Sequence, residues 1–178
     1  MEPSDISLVE RALRADADAF GELVARHYER IYRLSYRVLG IQAEAEDLAQ
    51  DICAALPGKL KGFRRESLFT TWLHRIVINA ARDRLRRQAT QTRTANAWGD
   101  VETMRRAEAA ESAAAQAWLR RAMAALTPEL RETVALVLGE EMTHAEAAEV
   151  LQLSEGTVSW RMSEVRKRLR TMAEEDKV

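Results

Sequence analysis

The apolar positions of this chain recur at helical spacing over most of its length. Phe20, Leu23, Val24, His27, Tyr28, Ile31, Leu34, Val38 and Leu39 follow steps of three and four. With Asp16 or Asp18 as cap and Gly40 as terminator, they predict one long helix. A second helix is predicted from about Gln42 to Leu56, stopped by Pro57-Gly58, and a third from about Phe69 to Arg87, with the basic loop GKLKGFRRES between them. From Gln88 to about Glu111 the period lapses into Ala, Thr, Arg and Glu, the composition of a flexible linker or a marginal helix. The stripe then resumes at Trp118, Leu119, Ala122, Met123 and Leu126. Thr127-Pro128 supplies an N-cap followed by Pro at the first helical position, and Gly139 ends that helix. The expected architecture is all-α: two small helical domains, residues 1–90 and 113–178, joined by a flexible linker over 91–112.

The segment THAEAAEVLQLSEGTVSWRMSEVRKRLR, residues 143–170, reads as a helix-turn-helix. Thr143 and Glu146 have the capping-box spacing, Gln152, Leu153 and Ser154 form the turn, and Ser154 is a good N-cap for the next helix. Along that helix Val158, Met162, Val165 and Leu169 make an apolar stripe expected to face the first helix. The opposite side holds Gly156, Thr157, Trp160, Ser163, Glu164 and Lys167, with Arg161 and Arg168 at its margins. From Ser154 to Arg170 five Lys or Arg stand against two Glu, which suits phosphate contact and base-edge reading in a major groove. An ordinary amphipathic helix with a solvated charged face would carry the same stripe.

Composition narrows the choice further. Seven Gly and three Pro in 178 residues leave little material for the turns of a β-rich fold. No apolar run approaches the ~20 residues needed to cross a bilayer, and MEPSDISLVE lacks the basic start and apolar core of a signal peptide. A cytoplasmic protein without membrane insertion is expected. Cys53 is the only cysteine, so an intrachain disulfide is impossible, and it reads as a buried, inert thiol. His27, His74 and His144 match no metal-ligand spacing and are expected at the surface or the core edge. Neither a cofactor nor a metal is called for.

Net charge is only −1, but it is blocked along the chain. Residues 1–58 carry −5, residues 59–93 carry +8, residues 94–153 carry −5 and residues 154–178 carry +1. Two basic stretches alternating with two acidic ones point to two nucleic-acid contacts and a separate partner surface.

Four phrases now fall into place: AEDLAQDI (45–52), FRRESLFTTWLHRIVINAARDRLRR (63–87), ALTPELRETVAL (125–136) and SEGTVSWR (154–161). Together, in this order and at these separations, they resemble bacterial extracytoplasmic-function sigma factors. The resemblance implies a first domain of the sigma region 2 type and a second of the region 4 type. It implies binding to the RNA polymerase core and recognition of the minus-ten and minus-thirty-five promoter elements, together with an anti-sigma protein that holds the factor inactive.

Residue by residue, Asp47, Gln50 and Asp51 match positions that grip the clamp helices of the largest polymerase subunit. Phe63, Arg64, Arg65 and Ser67 fall in the loop that captures a flipped base of the non-template strand. Arg75 and Asn79 match minus-ten contacts on the following helix, where Arg82 and Arg86 add cations, and Asn is able to read a base edge bidentately. Trp72 falls on the family's Thr-Trp motif and either packs internally or braces the upstream edge of the bubble. In region 4 the DNA-facing set is Thr157, Ser159, Trp160, Arg161, Ser163, Glu164, Lys167 and Arg168. Here the chain departs from its relatives, with Ser159 and Glu164 at two positions usually cationic and Trp160 at a usual Ser, so its preferred minus-thirty-five sequence should differ. Trp160 faces away from the stripe, toward DNA or an inhibitor.

The reading is therefore a dissociable initiation factor, not an enzyme, that directs polymerase to promoters and helps to melt them. One rival is an autonomous helix-turn-helix regulator dimerising on a palindrome, which leaves the +8 block unexplained. The other is a small nucleic-acid-processing enzyme with Asp83 or Glu66 as a metal ligand, weakened by those being the only two acids in that block.

Overall fold

The computed structural model describes residues 3–91 and 109–175, and among these the regular elements are all helical. In chain order they are α1 (Asp5–Leu13), α2 (Ala17–Leu39), α3 (Gln42–Leu60), α4 (Phe69–Gln91), α5 (Ala109–Ala125), α6 (Pro128–Val134), α7 (His144–Leu151) and α8 (Glu155–Glu175). A π-helical turn, Ala135–Gly139, extends α6. The linker expected over 91–112 lies for the most part outside the described residues.

Helix α1 is not anticipated by periodicity: its fully buried residues are the adjacent pair Leu8 and Val9, with the small Ala12 packed beside them. Ser4 caps it, accepting from the Ser7 amide at 3.2 Å. Asp16, rather than Asp18, caps α2: its carboxylate accepts from the Ala19 amide at 3.0 Å and from Arg11 Nε at 2.8 Å. Those bonds, the Ala19 amide foremost, hold the Asp16 carboxyl below its ordinary pKa. Gly40, at φ 78°, ends α2 in the left-handed conformation that glycine adopts without Cβ strain.

Helix α3 runs through Pro57 to Leu60 instead of stopping at it. An internal proline forfeits one backbone hydrogen bond and costs ~3 kcal/mol. Leu56 and Leu60, at 1% and 2% exposure, anchor the turns on either side of it. Burying two leucines offsets that cost at roughly 1.5–3 kcal/mol each. Beyond the helix, Phe63, Phe69 and Trp72 form a ring cluster with centroids 5.2–5.6 Å apart.

The two units are not separate bodies. Ala135, Leu136, Ala147, Ala148, Val150, Leu151 and Val158 join one buried cluster with Leu23, Leu34, Leu73 and Ile78 of the first unit. A smaller cluster, Leu126, Leu130, Val134, Met162 and Val165, holds α8 to α6. The apolar stripe of α8 is thus shared: Val158 belongs to the common core, whereas Met162 and Val165 face α6 rather than α7.

Charged groups stitch the same seam. Arg131, 6% exposed, donates to the carbonyls of Met123 (2.9 Å) and Leu126 (3.1 Å) in its own unit and Val38 (3.0 Å) across it. Arg82 of α4 makes a bidentate pair with Glu132 of α6, 2.9 Å from Nε to Oε1 and 2.7 Å from Nη2 to Oε2. Glu140 receives Arg37 at 2.6 Å and lies 3.4 Å from both Arg30 Nε and His74 Nε2. The space that a Cβ on Gly139 would need is taken by the Arg37 side chain, 2.8 Å away at its Cδ, so this glycine admits the arginine to Glu140.

Candidate nucleic-acid interface

Arg75, Asn79, Arg82 and Arg86 follow steps of four, three and four and so share one face of α4. Asn79 and Arg86 are exposed, while Arg75 and Arg82 are half-buried against the second unit. Arg75 Nη2 donates to the Glu149 carbonyl at 3.0 Å and lies 3.9 Å from the Glu149 carboxylate. The Glu132 contact, foremost through its hydrogen bonds, pushes the Arg82 pKa up. Arg86 is paired with Asp83 on its own helix. Arg84, absent from the sequence expectation, ties α4 to α3 through the Glu44 carbonyl at 2.7 Å and Asp51 at 3.4 Å.

In the loop before α4, Arg64 is exposed and Arg65 reaches Glu10 of α1 at 2.7 Å. Arg65 sits at φ 61°, a conformation uncommon outside glycine. The Phe63 ring is 9% exposed and packs on Phe69 and Trp72, so in this conformation it belongs to the core rather than to the open face of the loop. Trp72 packs internally with it. Ser67 is half-buried, its hydroxyl 3.4 Å from the Leu68 carbonyl.

Helix α3 presents Asp47, Gln50 and Asp51 outward, all exposed. Its other side supplies Leu48, Ala49 and Ile52 to the core. An acidic face on a helix anchored in this way fits a basic protein partner.

The helix-turn-helix has the expected local chemistry. Thr143 and Glu146 complete the capping box, and the Ser154 hydroxyl accepts from the Thr157 amide at 3.1 Å. On α8, however, five of the eight expected DNA-facing side chains are occupied. Thr157 Oγ1 is 2.8 Å from Ser154 Oγ, and Ser159 Oγ is 2.8 Å from His144 Nδ1. Arg161 donates to the Glu129 carbonyl at 3.3 Å and Thr133 Oγ1 at 3.4 Å, while Glu164 accepts from Arg168 at 3.2 Å. Trp160, Ser163 and Lys167 remain on the exposed face, with Trp160 64% exposed.

Two histidines expected at the edge are in the core. His27 and His74 are each 3% exposed, and burial pushes the His27 pKa down, partly countered by Asp5 at 3.0 Å. Cys53 is half-buried, and burial raises its thiol pKa. Sequence reasoning also missed a cleft of about 570 Å³ between the C-terminal end of α2 and α5–α6. Leu119, Met123, Val134 and Leu138 supply its apolar lining and Arg37, Arg120, Arg121 and Arg131 its cations. The available signal was Leu119 beside Trp118, one apolar position more than a single stripe requires.

Among the described residues no group of His, Cys, Asp or Glu is arranged to hold a metal, and no helix is long and apolar enough to cross a membrane. The family model for Sigma-70 region 2 matches residues 23–91, and that for Sigma-70 region 4 matches residues 122–171. The chain is 33% identical over 168 residues to the ECF RNA polymerase sigma factor SigM of Mycobacterium tuberculosis, covering 94% of this chain and 84% of that one. It is 32% identical to the RNA polymerase sigma-H factor of Pseudomonas aeruginosa, covering 91% and 90%. Among solved structures, CnrH in complex with the cytosolic domain of CnrY superposes with a TM-score of 0.70 at 28% identity, covering 95% of this chain and 96% of that one. The sigma factor RpoE of Bartonella quintana, solved with the anti-sigma factor NepR, shares the fold with a TM-score of 0.71 at 20% identity, over 87% and 96% of the two chains. The chain belongs to the ECF family of RNA polymerase sigma factors, and it directs promoter-specific transcription initiation.

Proposed function

We propose that residues 1–90 engage both polymerase and the minus-ten element, that residues 113–178 engage the minus-thirty-five element, and that 91–112 connects them. On this reading Asp47, Gln50 and Asp51 dock on the clamp helices of the core, and the α4 face of Arg75, Asn79, Arg82 and Arg86 tracks the melting strand. Cations follow the phosphates while Asn79 reads a base edge. The observation that carries the reading is the division of labour between neighbouring helices, with an exposed acidic face on α3 and a cationic stripe on α4. Trp160, Ser163 and Lys167 form the reading face of α8, and Thr157, Ser159, Arg161, Glu164 and Arg168 shape and buttress it. The factor works in the bacterial cytoplasm, where polymerase acts. An anti-sigma protein is its expected regulator, as NepR is for RpoE, and the apolar cleft beside α5 is a fitting seat for a helix of such a partner.

Reconstitution tests this directly. Core polymerase supplemented with the protein should initiate at specific promoters, and a permanganate footprint should reveal the bubble. Asn79→Ala should weaken the footprint and relax preference at one position by about 1–3 kcal/mol. An unchanged footprint would remove α4 from the minus-ten element. For the core contact, Asp47→Arg is a cleaner probe than Asp51→Arg, because Asp51 lies 3.4 Å from Arg84 and its reversal would also disturb the fold.

A further inference from the structure

Arg84 stands two residues from Arg82 and two from Arg86, so it projects about 200° around α4 from the cationic stripe. It turns to α3. Its guanidinium is anchored on Glu44, where Nη1 donates to the main-chain carbonyl at 2.7 Å and Nε lies 3.3 Å from the carboxylate. The remaining nitrogen, Nη2, donates to the Asp51 carboxylate at 3.4 Å. Glu44 and Asp51 are ~10.5 Å apart in helix rise, yet one guanidinium reaches both. Side chains on a helix lean toward its N-terminus, which brings the Asp51 carboxylate back to the cation.

The contact is unequal. The Arg84 side chain is 23% exposed and that of Asp51 is 72% exposed, so the cation is fixed in the structure while the acid stands in water. A pair of this length and exposure adds little to folding. What it sets is the place of the carboxylate. Asp51 shares its exposed face with Asp47 one turn away, and like charges at that spacing repel. Arg84 offsets that repulsion from one side. Because it also meets Glu44, the trio keeps one net negative charge, and Asp51 is oriented without being neutralised. An acid ordered in advance loses less side-chain entropy when a partner docks.

We propose that Arg84, anchored on Glu44, is a positioning residue for polymerase docking, which holds the Asp51 carboxylate ready for the core. The proposal rests on the reading of α3 given above. It gives α4 two duties on opposite sides: one presents cations and Asn79 to DNA, the other braces the helix that meets polymerase.

The test is a double-mutant cycle on the full chain, read as competition with labelled wild-type protein for core polymerase. Arg84→Gln should weaken core binding roughly fivefold, the upper range for an ion pair partly in water. Asp51→Asn should weaken it at least as much, and adding Arg84→Gln to Asp51→Asn should cost less than about 1.5-fold more. That coupling supports the proposal, since a residue that merely holds the fold imposes the same loss in both backgrounds. Equal losses in both, or wild-type affinity in either single variant, overturn it. Tighter binding by Arg84→Gln also overturns it, because Arg84 would then mask Asp51 rather than present it. Should Arg84→Gln lose helicity by circular dichroism, Arg84→Lys takes its place, keeping the charge without the fork. Its smaller loss must likewise vanish alongside Asp51→Asn, and a loss that persists there overturns the proposal. Asp47→Arg separates the inference from the reading beneath it. Wild-type affinity in that variant removes α3 from the polymerase interface and the proposal with it. Weakened binding there, with no coupling between Arg84 and Asp51, removes the positioning role alone.

Discussion

Helices α4 and α8 carry the same kind of cargo and are silenced in different ways. On α4 the cations that matter, Arg75 and Arg82, are engaged from the other unit by the Glu149 main-chain carbonyl and the Glu132 carboxylate, across a seam that domain separation would dissolve. On α8 the engaged groups are satisfied within their own unit, Arg161 by α6 and Glu164 by Arg168 one turn away, and no rearrangement of domains would free them. The face of α8 is therefore fixed at folding, whereas that of α4 is conditional. A recognition surface of fixed shape suits a duplex element, and a conditional one suits DNA that must first be opened.

The sharpest way to break this contrast is to remove one partner of the buried pair. Glu132→Ala leaves Arg82 facing an apolar seam, and breaking a buried pair in this way costs on the order of 3 kcal/mol. Because Arg82 keeps a third of its side chain in water, the loss should fall nearer about 2 kcal/mol. Urea unfolding of the full chain should show it as a lowered midpoint. The corresponding α8 variant, Glu164→Ala, should leave the midpoint nearly unchanged, and equal shifts would erase the distinction between seam and surface.

Acid should act on the seam in a defined window. Burial alone would raise the Glu140 carboxyl, but His74, Arg37 and Arg30 together hold it below its ordinary value of 4.5. A depressed carboxylate stabilises the folded state above its unfolded pKa, and that stabilisation is lost as pH falls through the folded value. The two units, followed by energy transfer between one label on each, should therefore separate only below about pH 4.5. His27 acts earlier. Its pKa is lowered from 6.5 by burial, so protonation favours the unfolded chain as pH drops below that value. Stability, without domain opening, should decline there, and His27→Gln should remove that first decline. A seam that opens near neutrality would sink the assignment to Glu140.

At the minus-thirty-five element the expected effects are smaller. Trp160 offers the largest apolar surface on the reading face, and Trp160→Ala should cost ~1–3 kcal/mol of binding to a selected duplex, as for loss of one base contact. Competition binding measures it. A wild-type affinity would move Trp160 from DNA to a protein partner.

Helical periodicity made α2, α4 and the helix-turn-helix legible, because each buries a continuous stripe. It missed α1, whose only fully buried residues are adjacent, and it stopped α3 at Pro57, where two buried leucines override the local break. The stripe of Arg75, Asn79, Arg82 and Arg86 was legible for the same reason of spacing. Its occupancy was not: Arg82 and Glu132 are 50 residues apart in sequence, and Arg37 and Glu140 are 103 apart. Charge blocks announced that acids of one stretch would meet bases of another, but within a block every glutamate looks alike. What distinguishes Glu132 from Glu129 is a helix face, and that face is decided by the seam.

The gentlest test concerns Glu164, where the sequence invited a specific role. A carboxylate among the readers of a major groove can accept from a cytosine amino group. In the structure that carboxylate accepts instead from Arg168 at 3.2 Å, one turn along its own helix and partly buried. An i, i+4 pair of this kind is worth only ~0.2–0.5 kcal/mol to the helix, yet it determines which atoms of Glu164 remain available. Glu164→Gln keeps the shape and one acceptor while releasing Arg168 from a charge. Selection from randomised promoters should therefore return the same minus-thirty-five bases as wild type, with a slight gain in affinity at low salt from the unmasked cation. If the enriched base changes, Glu164 reads DNA directly, its bond to Arg168 gives way on binding, and α8 joins α4 as a conditional surface.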